Sequence, residues 1–179
     1  MNTKEVIKPA VVLLIIASVA AAALGAVQSI TAEPIKIQEE QTRAASMKAV
    51  MPDASNFEEI TDVELTGSLT AIYKADNGGF VVTAAPGGFG GAVDTMVGID
   101  AEGVITGLRV TKHAETPGLG AKATEPDFYE QFTGKSGTLA VTKDGGEIVP
   151  ITSSTITSRA VASGANEALE WFAANGGAY

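Results

Sequence analysis

Leu69-Thr70-Ala71-Ile72-Tyr73-Lys74-Ala75-Asp76-Asn77-Gly78-Gly79-Phe80-Val81-Val82-Thr83-Ala84 reads as two short strands and the turn between them. Both arms carry β-branched and aromatic residues, which fit a pleated, half-buried surface. Asp76-Asn77-Gly78-Gly79 supplies residues that tolerate positive φ, the chemistry of a tight hairpin. Working outward, Pro86-Gly87-Gly88-Phe89-Gly90-Gly91 is a second turn, followed by a strand over residues 92–99. Asp100-Ala101-Glu102-Gly103 is a third, leading into residues 104–111. The expectation is a four-strand antiparallel meander with one solvated face.

Downstream, residues 125–132 read as a short helix, with Thr124 as its N-cap and Pro126 in its first turn. Residues 139–142 and 146–148 are candidate strands around Lys143-Asp144-Gly145. A last helix over residues 157–175 places Val161, Ala165, Ala168, Leu169 and Phe172 on one apolar stripe. The fold class is therefore α+β: an N-terminal transmembrane helix, then one domain with an antiparallel sheet and flanking helices. No internal repeat is visible.

The transmembrane reading comes from residues 9–27, which carry no charge and one hydroxyl, Ser18. Nineteen residues of helix span about 28 Å, close to the hydrocarbon thickness of a bilayer. Lys4 and Lys8 precede the run, while Glu33, Glu39 and Glu40 follow it. The basic side stays in the cytoplasm, so the body of the protein faces outward. A cleaved signal peptide is the competing reading, since Ala-rich sequence closes the run. The run is longer than a usual signal core, which favours an anchor, and both readings export the domain. Residues 38–50 form a polar helical stretch stopped by Met51-Pro52. The expected organisation is 1–27 as cytoplasmic tail and span, 28–52 as juxtamembrane stalk, and 53–179 as extracytoplasmic domain.

Composition excludes several kinds of chemistry. The 179 residues include no cysteine, so there is no disulfide, thiolate metal site, iron–sulfur cluster or lipoprotein anchor. His113 is the single histidine, which rules out a multi-histidine metal centre within one chain. A net charge of −9 argues against nucleic acid, which recruits basic faces. The 87–91 turn is no phosphate loop, because no Lys-Ser/Thr follows and its flanks read as paired strands.

Two segments exceed what a plain domain needs. His113-Ala114-Glu115-Thr116-Pro117-Gly118-Leu119-Gly120 has a proline that fixes one torsion and glycines that permit unusual ones. Such a loop lets a flat ligand approach the backbone, although His-x-Glu alone also suits a structural turn. The second is Ile151-Thr152-Ser153-Ser154-Thr155-Ile156-Thr157-Ser158, with six hydroxyls in eight residues. It precedes the last helix, where free N–H groups and the helix dipole favour a phosphate. Helix capping by Thr157 or Ser158 is the plain alternative, but one cap needs one hydroxyl.

Together the two segments resemble the FMN-binding subunits that carry flavin on a threonine. These are the G subunit of the Rnf electron-transport complex and the related C subunit of the sodium-pumping NADH:quinone oxidoreductase. The family has a membrane anchor, an outward FMN domain, a loop like 113–120 and a later Ser/Thr-Gly-Ala-Thr attachment motif. The resemblance covers essentially the whole chain and places Thr152 at Ser/Thr, Ser153 at Gly, Ser154 at Ala and Thr155 at the acceptor. Val149 stands where the family often has Asp, and Ser153-Ser154 replace Gly-Ala.

The resemblance implies FMN joined covalently through its phosphate to the Thr155 hydroxyl by a flavin transferase that uses FAD and a divalent metal. Thr152, Ser153, Ser154 and Thr157 would surround the phosphate. The isoalloxazine would lie on Glu115, Thr116, Gly118, Leu119 and Gly120, with His113 orienting the loop and Lys122 facing the reduced ring. The chain would relay electrons, with the other subunits of a membrane complex, between ferredoxin and NAD coupled to Na+ or H+ translocation. It would bind no NAD itself, since no dinucleotide fingerprint is present. A stand-alone anchored flavoprotein and a non-redox anchored binding domain are the alternative readings.

Overall fold

The computed structural model describes residues 3–178 and divides them into two compact units, Met1–Thr42 and Arg43–Tyr179. The first unit belongs to a single helix, α1, Thr3–Val50, with Pro9 and Pro34 inside it. The helical stretch expected over 38–50 is the end of this helix, which stops at Val50 before Met51-Pro52. Among the described residues one helix is long and apolar enough to cross a membrane. Its Val11, Leu13, Leu14, Ile15, Ile16 and Val19 side chains are exposed, with no protein packed on them.

The second unit is built on a sheet of five antiparallel strands in the order β1-β2-β3-β4-β5. They are β1 Phe57–Glu59, β2 Leu69–Ala75, β3 Phe80–Ala84, β4 Val93–Ile99 and β5 Ile105–His113. The central hairpin forms as its turn chemistry requires. Gly78 sits at φ 85°, its N–H donates to the Ala75 carbonyl, and Asn77 Oδ1 accepts the Gly79 N–H. Four strands lie within two residues of their expected ends, and β1 is an addition. Three residues, two of them Glu, are too short to carry an alternating pattern.

The sheet is also covered on both faces, against the expected solvated one. On one side Ile72, Phe80, Val82, Val97 and Ile99 join the core with Val161, Ala165, Ala168 and Trp171 of the last helix, α3, Thr155–Asn175. On the other, Met47, Val50, Met51 and Ala54 cover Tyr73, Val81 and Met96. Gly98 and Gly107, paired between β4 and β5, open the space for this lid. A Cβ on Gly107 would lie 2.9 Å from the Val50 backbone, and Thr106 donates to the Val50 carbonyl at 2.6 Å.

Three further expectations are corrected. Residues 139–142 and 146–148 are not strands; one 3-10 turn, Thr142–Asp144, and a single bridge between Val141 and Ile148 replace them. The Asn166 side chain on α3 takes both backbone groups of Leu139, accepting at 2.7 Å and donating at 2.8 Å. A strand neighbour has nothing left to pair with there. The helix expected over 125–132 is one α turn, α2, Pro126–Tyr129, continued by the 3-10 turn Glu130–Phe132. Its N-cap is Glu125, while Thr124 closes the preceding turn by donating to the Ala121 carbonyl. Finally, α3 begins at Thr155 rather than Thr157.

Candidate functional site

The start of α3 and the loop after β5 meet at a cavity of about 340 Å³. Glu115, Thr116, Leu119 and Gly120 line one side, residues 153–157 the other, and Phe89 closes the rim. Leu119, Ile156 and Phe89 turn apolar surface to solvent here, Phe89 with 72% of its area exposed.

Glu115 holds the three segments together. Its carboxylate is buried, and Oε1 accepts the N–H groups of Phe89 at 2.7 Å and Gly90 at 3.0 Å. Oε2 accepts the Thr157 hydroxyl at 2.8 Å. Three donors replace most of the water that this nearly buried carboxylate has lost. The arrangement depends on close approach: Cβ atoms on Gly88 or Gly120 would collide with the same carboxylate. The 87–91 turn is thus a hairpin turn, as expected, that also serves the site by donating two N–H groups. His113 is half-buried, and its Nδ1 accepts the Glu115 N–H at 3.2 Å.

The six hydroxyls separate into distinct roles. Thr157 and Ser158, the expected caps, are fully buried within the helix. Ser158 Oγ donates to the Ser154 carbonyl and accepts the Ile151 N–H, both at 2.9 Å, so it clamps the turn into α3. Ser154 occupies the N-cap position, and its side chain makes no capping bond. Among the described residues the N–H groups of Thr155, Ile156 and Thr157 have no protein acceptor, so the positive end of a 21-residue helix is open there. Thr155, the first helical residue, is half-buried, and its Oγ accepts a bond of 2.9 Å from Lys143 Nζ. Ser153 has φ 63°, the positive-φ residue among the described non-glycines.

Lys143 was missed because Lys143-Asp144-Gly145 reads as an ordinary surface turn. Arg159, one helical turn beyond Thr155, grips Asp144 through two bonds of 2.7 Å. Those bonds, followed by the smaller pull of Lys143, hold the Asp144 carboxyl below its ordinary range. Phe89 was missed because a glycine-rich hairpin gives no sign of what it faces. Two expected site residues lie elsewhere: Lys122 and Thr152 border a second cavity of about 250 Å³ with Glu125, Asp127, Gln131 and Val149. Lys122 follows Gly120 in the 3-10 turn Gly120–Thr124. Gly118, exposed at the tip of its loop with φ 76°, shapes the turn and does not line the cavity at the start of α3.

No ring of His, Asp or Glu able to hold a metal occurs among the described residues. An anion seat beside an apolar, open cavity suits a ligand with a phosphate at one end and a flat ring at the other. Comparison with known proteins gives that class a name. Residues 88–170 match the FMN-binding domain family, and residues 1–50 match the RnfG N-terminal region.

The chain belongs to the family of G subunits of Rnf-type ion-translocating oxidoreductase complexes. It is 39% identical to the G subunit of the Na+-translocating ferredoxin:NAD+ oxidoreductase complex of Acetobacterium woodii, over 95% of this chain and 93% of that protein. The G subunit of the ion-translocating oxidoreductase complex of Methanosarcina acetivorans is 32% identical, over 98% and 99%. A Clostridium ljungdahlii relative, from a proton-translocating complex, is also 32% identical, over 82% and 80%. The crystal structure of the C subunit of Na+-translocating NADH-quinone reductase from Parabacteroides distasonis shares the fold. Its TM-score is 0.52 at 21% identity, over 67% of this chain and 76% of that one.

Proposed function

We propose that this chain is a membrane-anchored flavoprotein electron carrier of a Rnf-type complex, with FMN esterified through its phosphate to Thr155. The observation that carries the reading is the start of α3, where the Lys143 ammonium donates to the Thr155 hydroxyl beside three N–H groups that have no acceptor among the described residues. Those groups fit a phosphate. The cavity beside them, with Leu119, Ile156 and Phe89 at its mouth, fits the face of a ring.

FMN supplies the redox chemistry, accepting and donating electrons one or two at a time. The protein's part is to hold and orient. Thr155 tethers, Ser153 and Ser154 border the phosphate, and Glu115 fixes the loop that bears Thr116, Leu119 and Gly120. His113 braces that loop from behind. A covalent tether keeps the cofactor on a domain that faces away from the cytoplasm. Residues 9–27 would span the membrane, 28–52 would form the stalk, and 53–179 would face outward. The partners are the other Rnf subunits, which carry ferredoxin and NAD chemistry, and a flavin transferase that matures the chain.

The test is mass spectrometry of the tryptic peptide over residues 144–159, from the full chain co-expressed with a flavin transferase. The expected result is the added mass of FMN on Thr155, with flavin fluorescence that survives denaturation and disappears in Thr155→Ala. Fluorescence retained in that variant would refute the site. Protease protection in oriented vesicles checks the outward placement, and purification without other Rnf subunits would favour a stand-alone carrier.

A further inference from the structure

We propose that Lys143 selects Thr155 among the six hydroxyls, as the cation that receives the phosphoryl group joined there. This rests on the reading of Thr155 as the flavin acceptor. The other hydroxyls are disposed of by the geometry. Those of Thr157 and Ser158 are buried and bonded, to Glu115 and to the Ser154 carbonyl. Thr152 and Ser153 are exposed and precede the helix, and Ser154 is buried at the N-cap position. Among the described residues, Thr155 alone of the six has an ammonium on its oxygen.

The placement of Lys143 is built in. Its 3-10 turn, Thr142–Asp144, ends at Gly145 with φ 83°, and its middle residue points to the helix start. Asp144 is gripped by Arg159 through two bonds, which leaves Lys143 only a weaker attraction to the neighbouring carboxylate. One helix therefore carries both the acceptor and the arginine that draws the lysine to it. The spacing of Thr155 and Arg159, four residues, sets both on the same face.

In the transfer, the Thr155 Oγ–phosphorus bond forms at the FMN-side phosphate of FAD, and the P–O–P anhydride bond breaks. AMP leaves with the bridging oxygen, the hydroxyl proton passes to a base of the transferase, and no electrons change hands. Negative charge gathers on Oγ and the phosphoryl oxygens as this occurs. The Lys143 ammonium, already bonded to Oγ, offsets that charge and afterwards lies beside the diester anion. It also restrains the Thr155 hydroxyl at the start of α3 through that bond.

The experiment follows flavin incorporation into the full chain by intact-mass time course, with purified flavin transferase, FAD and Mg2+. Lys143→Gln should incorporate flavin about ten-fold more slowly than wild type, the effect of one lost charge-assisted hydrogen bond. Lys143→Arg should keep most of the rate, and both should keep the wild-type melting temperature. Wild-type rate in Lys143→Gln would overturn the proposal while leaving Thr155 as acceptor. So would an arginine variant as slow as the glutamine one, since charge would then be irrelevant. No flavin on the Thr155 peptide of wild type would overturn the underlying reading, and this proposal with it.

Discussion

Ser153 occupies a backbone conformation, φ 63°, that a residue with a Cβ adopts at a cost of about 1 kcal/mol. The attachment motif that the chain resembles has glycine here, and the torsion gives the reason. Ser153→Gly should stabilise the domain by about 0.5 kcal/mol, the strain relief less the extra freedom glycine brings to the unfolded chain. Ser153→Val should cost more than about 1 kcal/mol, because β-branching disfavours positive φ most strongly. Urea denaturation of both variants checks the pair of signs. Glu115 carries larger stakes. Glu115→Ala removes the acceptor of three donors, the buried Thr157 hydroxyl and the part-buried N–H groups of Phe89 and Gly90, and should cost about 3 kcal/mol by the same measurement. Its position in the loop marked it as a site candidate, but nothing in the sequence revealed that its partners are 25 and 42 residues away.

At the scale of elements, the clasp between the 142–144 turn and α3 depends on ionisation. Arg159 lowers the folded pKa of Asp144 below its ordinary value. A carboxylate depressed in this way contributes stability above its unfolded pKa, about 3.9, and loses it as pH falls through the folded value. The clasp should therefore hold at neutral pH and open only in acid below about pH 4. The NMR signal of the Arg159 Nε–H should titrate with a midpoint under the ordinary aspartate value; a midpoint at or above that value would contradict the pairing. Arg159→Gln should free the turn at neutral pH and slow flavin incorporation in the direction of Lys143→Gln. Element boundaries were legible where local chemistry sets them, as in the Asp76–Gly79 hairpin. They were misread around Leu139, where a side chain from α3 replaces a strand partner.

At the scale of the whole molecule, the second compact unit begins at Arg43, inside α1, and its far sheet face needs the end of that helix. A fragment starting at Arg43 should fold. One starting at Asp53 uncovers Tyr73, Val81 and Met96 by losing Met47, Val50 and Met51. Those three side chains contribute about 2 kcal/mol each on burial, so the shorter fragment should lose about 6 kcal/mol or fail to fold. Denaturation midpoints and the dispersion of amide NMR signals distinguish the two fragments.

The sequence by itself determined the meander hairpins, the last helix, the apolar run and the hydroxyl cluster before that helix. These follow from hydrophobic runs, turn residues and short motifs, all of them local patterns. Only the tertiary structure decided which hydroxyls are spent inside the protein and which remain open. It also brought Lys143 and Phe89 to the site, left Lys122 at a different cavity and placed Val50 over Gly98 and Gly107. Each of these depends on chain segments far apart in sequence approaching within a few ångströms. Packing sets that approach, and no local pattern encodes it.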